Sequence, residues 1–163
     1  MTVRNLLAAT AISSLLASPA AAQEALVTYK SLSPELALDL ARATLADCRK
    51  RGFQVSVDRF GVAQVLLRDR FAGPHTVSTA SGKAWTAASF RTSTTELNAI
   101  SQPGMMQAGI RHLPGAVIVG GGVTVEAAGS LLGAVGVSGA PGGDADEACA
   151  KAGIDAIRDK LDF

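Results

Sequence analysis

Histidine and cysteine are scarce in this chain: two of each among 163 residues, namely His75, His112, Cys48 and Cys149. No pair of histidine, cysteine or carboxylate stands at zinc-motif spacing, and no C-x-x-C-H run exists for covalent haem attachment. Histidine is also missing after residue 112. Gly136-Val137-Ser138-Gly139-Ala140 therefore only resembles a nucleophile elbow: it lacks the closing glycine and has no histidine after it. A strand end followed by a glycine loop is the plainer reading. A P-loop is absent too, because Gly82-Lys83 has no glycine five residues earlier and Lys83 falls in mid-helix. The triple glycine at 120 to 122 lacks dinucleotide-fingerprint spacing and reads as a turn or bulge.

An excess of charge is lacking as well. Fifteen basic residues face 14 acidic ones, which argues against a nucleic-acid partner and against electrostatic attachment to membranes. Beyond the first residues no apolar run is long enough to cross a bilayer, because glycine or charge interrupts each one.

What is present begins with a secretion signal over residues 1–22: basic Arg4, an apolar run from Leu6 to Leu16, and Ala20-Ala21-Ala22 before Gln23. Its removal leaves residues 23–163 as a single soluble domain, periplasmic or secreted, with no stable membrane insertion. Arg4 leaves with it, so the remainder is formally neutral.

Ser33 as cap, Pro34 and Glu35 predict a helix start, and Leu38, Ala41, Leu45 and Cys48 give it one apolar face up to Gly52. Alternation at Phe53, Val55 and Val57, then Val62 to Leu67, predicts a hairpin turning at Asp58-Arg59-Phe60-Gly61. A second helix opens at Thr76 with Val77, Ala80, Ala84, Trp85 and Ala88 on one face. After a bend near Thr92, the capping box Ser93-Thr94-Thr95-Glu96 starts a short third helix. Three short strands follow at 117–119, 123–125 and 131–137. Asp144 and Glu147 then open a last helix with Ala145, Ala148, Cys149, Ala152 and Ala156 on one side. The expectation is an α+β domain, a roughly five-stranded antiparallel sheet with helices packed on it.

The first and last helices have small faces suited to close approach. If they lie antiparallel, late Cys48 meets early Cys149, and export makes a disulfide between them feasible. Closing that loop of about 100 residues would stabilise the domain by up to about 4.7 kcal/mol. Two buried thiols are the alternative.

Noncovalent haem needs one axial donor, an apolar slot and groups for the propionates. His75 lies in a loop at a helix start beside Arg68, Arg70 and Phe71. It is the candidate iron ligand, with Arg70 and Phe71 as further haem contacts. A solvated loop histidine is the simpler alternative. Met105, Met106 and His112 form a weaker group that reads as core and linker.

The ordered set Ser33-Pro34-Glu35-Leu36, Val57-Asp58-Arg59-Phe60-Gly61, Gly82-Lys83-Ala84, Phe90-Arg91, Gly120-Gly121-Gly122 and the run from Gly133 to Gly139 resembles the GlcG/HbpS-like haem-binding family. The resemblance spans about Leu32 to Leu161, and Asp146 to Gly153 looks like the family's closing helix. It implies a profilin-like fold, a homo-oligomer, and haem or iron binding, but no shared catalytic set. Gly120, Gly121, Gly122, Gly136, Ser138 and Gly139 are read with it as a ligand pocket or a subunit contact. The leading expectation is a non-catalytic exported haem-binding protein. The alternatives are a sensory or accessory module binding a metabolite or partner through the glycine-rich strands, and an enzyme of haem breakdown.

Overall fold

The computed structural model describes residues 29–50, 55–59 and 62–161. The expected signal segment 1–22, the residues through 28, the helix stop at Gly52, the start of the first strand at Phe53 and the Phe60-Gly61 turn lie outside them.

Helix α1 (Pro34–Lys50) starts at its predicted cap, where the Leu36 N–H donates to Ser33 Oγ at 3.2 Å. Its buried face is Ala37, Leu40, Ala41, Thr44, Leu45 and Cys48, with Leu38 turned to the half-buried flank. Thr44 is admitted to this face because its hydroxyl donates to Leu40 O at 2.8 Å. Strands β1 (Val55–Arg59) and β2 (Val62–Val65) pair antiparallel as the expected hairpin.

Helix α2 (His75–Phe90) ends at Arg91, whose left-handed φ of 53° turns the chain at the predicted bend. Helix α3 (Thr94–Ile100) carries a complete capping box. Ser93 Oγ accepts from the Glu96 N–H at 3.2 Å, and the Glu96 carboxylate accepts from the Ser93 backbone. Strands β3 (Gly122–Ala127) and β4 (Ser130–Val137) are joined through Ala128 and Gly129, at φ 47° and 73°, the signs a tight two-residue hairpin requires. Helix α4 (Gly143–Ala156) closes the fold.

The sheet is antiparallel throughout, in the order β2-β1-β4-β3. Among the described residues it has four strands rather than roughly five. The difference is the run at 117–119, which is not a strand: the Val117 N–H donates to Thr86 Oγ1 at 2.9 Å, so a helix side chain satisfies it instead of a ladder.

Alternation along β4 divides the molecule into three layers. Val135 and Val137 join the main core with Leu40, Leu45, Cys149 and Ile157 beneath α1 and α4, while Ala134 packs with Ala84, Ala87 and Ala88 of α2. Glycine sets how closely α2 approaches. A Cβ at Gly136 would lie 1.9 Å from Ala80 O, and one at Gly122 would lie 2.3 Å from Lys83 O.

Two predicted helix faces are corrected. On α2 the buried residues include Thr76, Ala80, Lys83, Ala84 and Ala87, whereas Val77 and Trp85 are half-buried. On α4 they are Asp146, Glu147, Cys149, Ala150 and Gly153, so of the expected face only Cys149 is fully buried. In both cases a buried charged group partnered across layers carries the face, a pairing that apolar periodicity does not register.

Candidate functional site

Lys83 lies on the sheet-facing side of α2, 2% exposed, so its ammonium is shut off from bulk water. Two acceptors replace that water: Nζ donates to Asp146 Oδ2 at 2.8 Å and to Val137 O at 3.0 Å. The other Asp146 oxygen accepts from the Ala140 N–H at 3.0 Å. Burial pushes the Asp146 carboxyl above its ordinary range, opposed by the bonds from Lys83 and Ala140. One ion pair thus ties α2, the end of β4, the following loop and α4 together.

A cleft of about 490 Å³ opens over this pair, within the range of about 300–1,000 Å³ common for small-molecule sites. The first turns of α2 supply His75, Thr76 and Thr79; the loop after β4 supplies Ser138 through Gly142; Phe71, Gly73 and Val119 complete the rim. His75 is the first residue of α2 and is exposed. Its ring packs on Gly73, where a Cβ would lie 2.9 Å from Cε1. Its carbonyl accepts from the Ser78 and Thr79 hydroxyls at 3.1 and 2.8 Å, fixing the first turn. The imidazole itself makes no hydrogen bond to any described residue.

The loop before α2 is pinned by charge. Asp69 accepts from the Phe71 N–H at 3.1 Å and from Arg49 Nε at 3.1 Å, and Arg68 donates to Ala72 O. The Phe71 amide, with Arg49 and Arg70, holds the Asp69 carboxyl below its ordinary range. The Phe71 ring is presented 78% exposed, with the Arg70 guanidinium stacked 4.8 Å from its centroid.

The sequence-predicted residues divide between the rim and its supports. His75, Phe71, Ser138 and Gly139 meet in the cleft; Arg70 stands behind Phe71. Gly120, Gly121, Gly122 and Gly136 do not line it. They are contact points: a Cβ at Gly121 would lie 2.6 Å from Asp146 Cβ and 3.1 Å from Lys83 Nζ, and one at Gly120 would lie 3.0 Å from the Gly143 backbone. Of the three, Gly121 leaves the space beside the ion pair itself, and Gly122 lies against the Lys83 backbone. Met105, Met106 and His112 lie away from the cleft on the surface, with Met106 fully exposed, so they are linker and not core.

Sequence reasoning missed Lys83, Asp146 and Thr79. A signal existed: Lys83 follows Ala80 by three residues and precedes Ala87 by four, so a charge sits within an alanine stripe. A second cleft, about 520 Å³, lies between Tyr29, Leu36, Leu132 and Leu161 and has no acid, imidazole or thiol in its lining. Among the described residues no three metal-ligating side chains cluster, and no helix is long and apolar enough to cross a membrane.

Comparison with known proteins places this geometry. The family model described as haem degrading protein HbpS-like matches residues 32–155. A double mutant of Streptomyces reticuli HbpS is 36% identical, superposes with a TM-score of 0.76, and matches over 86% of this chain and 97% of its own. The PduOC:heme complex is 33% identical at a TM-score of 0.72, covering 78% of this chain and 95% of that one. Klebsiella pneumoniae ORFY is 26% identical at a TM-score of 0.75, covering 81% and 94%. No curated protein matches. With both hairpins, the flush α2 and the glycine-packed ion pair all inside the matched span, the chain belongs to the HbpS-like family.

Proposed function

We propose that this protein is an exported, oligomeric haem-binding protein that holds its ligand in the His75 cleft without transforming it. The observation that carries the reading is the imidazole of His75, unbonded among the described residues at the mouth of a cleft beside an exposed aromatic ring. These residues fit haem. The imidazole offers an axial nitrogen, Phe71 and Val119 offer apolar contact to a porphyrin face, and Arg70, stacked behind Phe71, offers a cation for a propionate. Bound haem would supply an iron centre for redox or oxygen chemistry.

The similar PduOC:heme complex supports the ligand, and the family's description as haem degrading names the rival activity. Retention is favoured because the two buried ionisable groups of the cleft, Lys83 and Asp146, are committed to each other. The glycine-rich loop at Ser138 and Gly139 serves in this reading as the wall of the ligand site.

Titrating hemin into the protein tests the proposal. A saturable Soret band that persists under ascorbate and oxygen is expected. Bleaching with iron release would establish breakdown, and no saturable change would reject haem as the ligand.

A further inference from the structure

The cleft makes no use of the two thiols between α1 and α4. Cys48 and Cys149 are both 0% exposed and lie in hydrogen-bonding contact. Their place follows from the seam between the helices. One turn before Cys48 is Thr44, and one turn after Cys149 is Gly153; these two also face each other, so the helices run antiparallel with the two pairs in step. At Gly153 a Cβ would lie 1.8 Å from Thr44 Oγ1 and 3.0 Å from Thr44 Cα. The seam is therefore closer than a pair of ordinary side chains permits, where helix axes stand about 8–10 Å apart. A disulfide requires Cα atoms about 4.4–6.8 Å apart. A seam this close, with the Cys48 and Cys149 side chains in contact one turn from its tightest point, is the close helix approach that such a bond calls for.

We propose that Cys48 and Cys149 form an intramolecular disulfide that staples α1 to α4. The oxidant is a second disulfide, of glutathione or of an oxidoreductase. One cysteine thiolate attacks it and releases a thiol; the other cysteine attacks the mixed disulfide and releases the second. The protein loses two electrons and two protons, and the oxidant becomes two thiols. Burial raises the Cys48 thiol, and the acids Asp146 and Asp47 raise it further, so the folded seam holds little thiolate. Exchange therefore belongs to folding, or to opening of the seam, and the closed bond is shielded from reductants.

The test uses the full chain, unfolded and refolded in a glutathione redox buffer, then alkylated in denaturant and weighed intact. No alkylation before reduction and two alkylated cysteines after it are expected. The same reductant applied to the folded protein is expected to leave the bond closed. Gly153→Ala, which forces the helices apart, is expected to shift the equilibrium with glutathione toward the dithiol by at least about tenfold. Two alkylated cysteines in refolded wild type with native circular dichroism would overturn the proposal, as would a bond found only between chains. The wild-type result decides even if Gly153→Ala fails to fold.

Discussion

Lys83 Nζ stands 2.8 Å from Asp146 Oδ2, with side chains 2% and 5% exposed, so each charge has the other as its main replacement for water. Removing one partner is costly because the survivor stays buried. Lys83→Met is expected to lower stability at neutral pH by about 3–5 kcal/mol, and replacing both residues with apolar ones of similar volume by much less. The penalty has a pH signature. Without Lys83 the Asp146 carboxyl, already raised by burial, rises further above its unfolded value of 3.8. A raised group favours the fold below that value and loses this contribution as pH climbs through the folded pKa. Urea melts of wild type and variant should therefore lie closest in acid and diverge toward neutrality.

His75 and Phe71 separate ligation from contact. His75→Ala is expected to abolish or shift the Soret band. Phe71→Ala should keep its position while weakening binding by about 1 kcal/mol, roughly fivefold. Hemin titrations followed by absorbance distinguish the two.

Glycines within the sheet and outside it answer to different neighbours. Gly136→Ala drives a Cβ into the α2 backbone and is expected to cost about 1–3 kcal/mol or more, read as a lower denaturation midpoint. At Gly109 an added Cβ meets nothing within 4 Å, and Gly109→Ala should stay within about 0.5 kcal/mol.

Asp69 orders the loop that presents Phe71. Its carboxyl is lowered below 3.8, chiefly by the Phe71 N–H. A lowered group stabilises above its unfolded pKa, and the contribution disappears as pH falls through the folded value. Asp69→Ala should melt below wild type at neutral pH, and the two curves should converge in strong acid. Faster tryptic cleavage after Arg68 and Arg70 in the variant would report the same loosening at neutral pH.

Much was legible in the residues because it is local. Ser33 before Pro34, and Ser93 with Glu96, determine where α1 and α3 begin, since a cap acts within one turn of its own backbone. His75 with Phe71 could be chosen because they are neighbours in the chain. Even the meeting of Cys48 with Cys149 followed from assuming two small-faced helices side by side. Only the tertiary structure decided the rest. Val117 reads as strand, yet Thr86, 31 residues earlier, takes its amide. Lys83 and Asp146 stand 63 positions apart, and no periodicity on either helix reveals that one neutralises the other. Gly120, Gly121 and Gly122 read as a ligand pocket or a subunit contact, and only the fold brings Gly121 against that pair. Caps and alternation are set by the nearest residues. Buried charge and close approach depend on what another layer brings into contact.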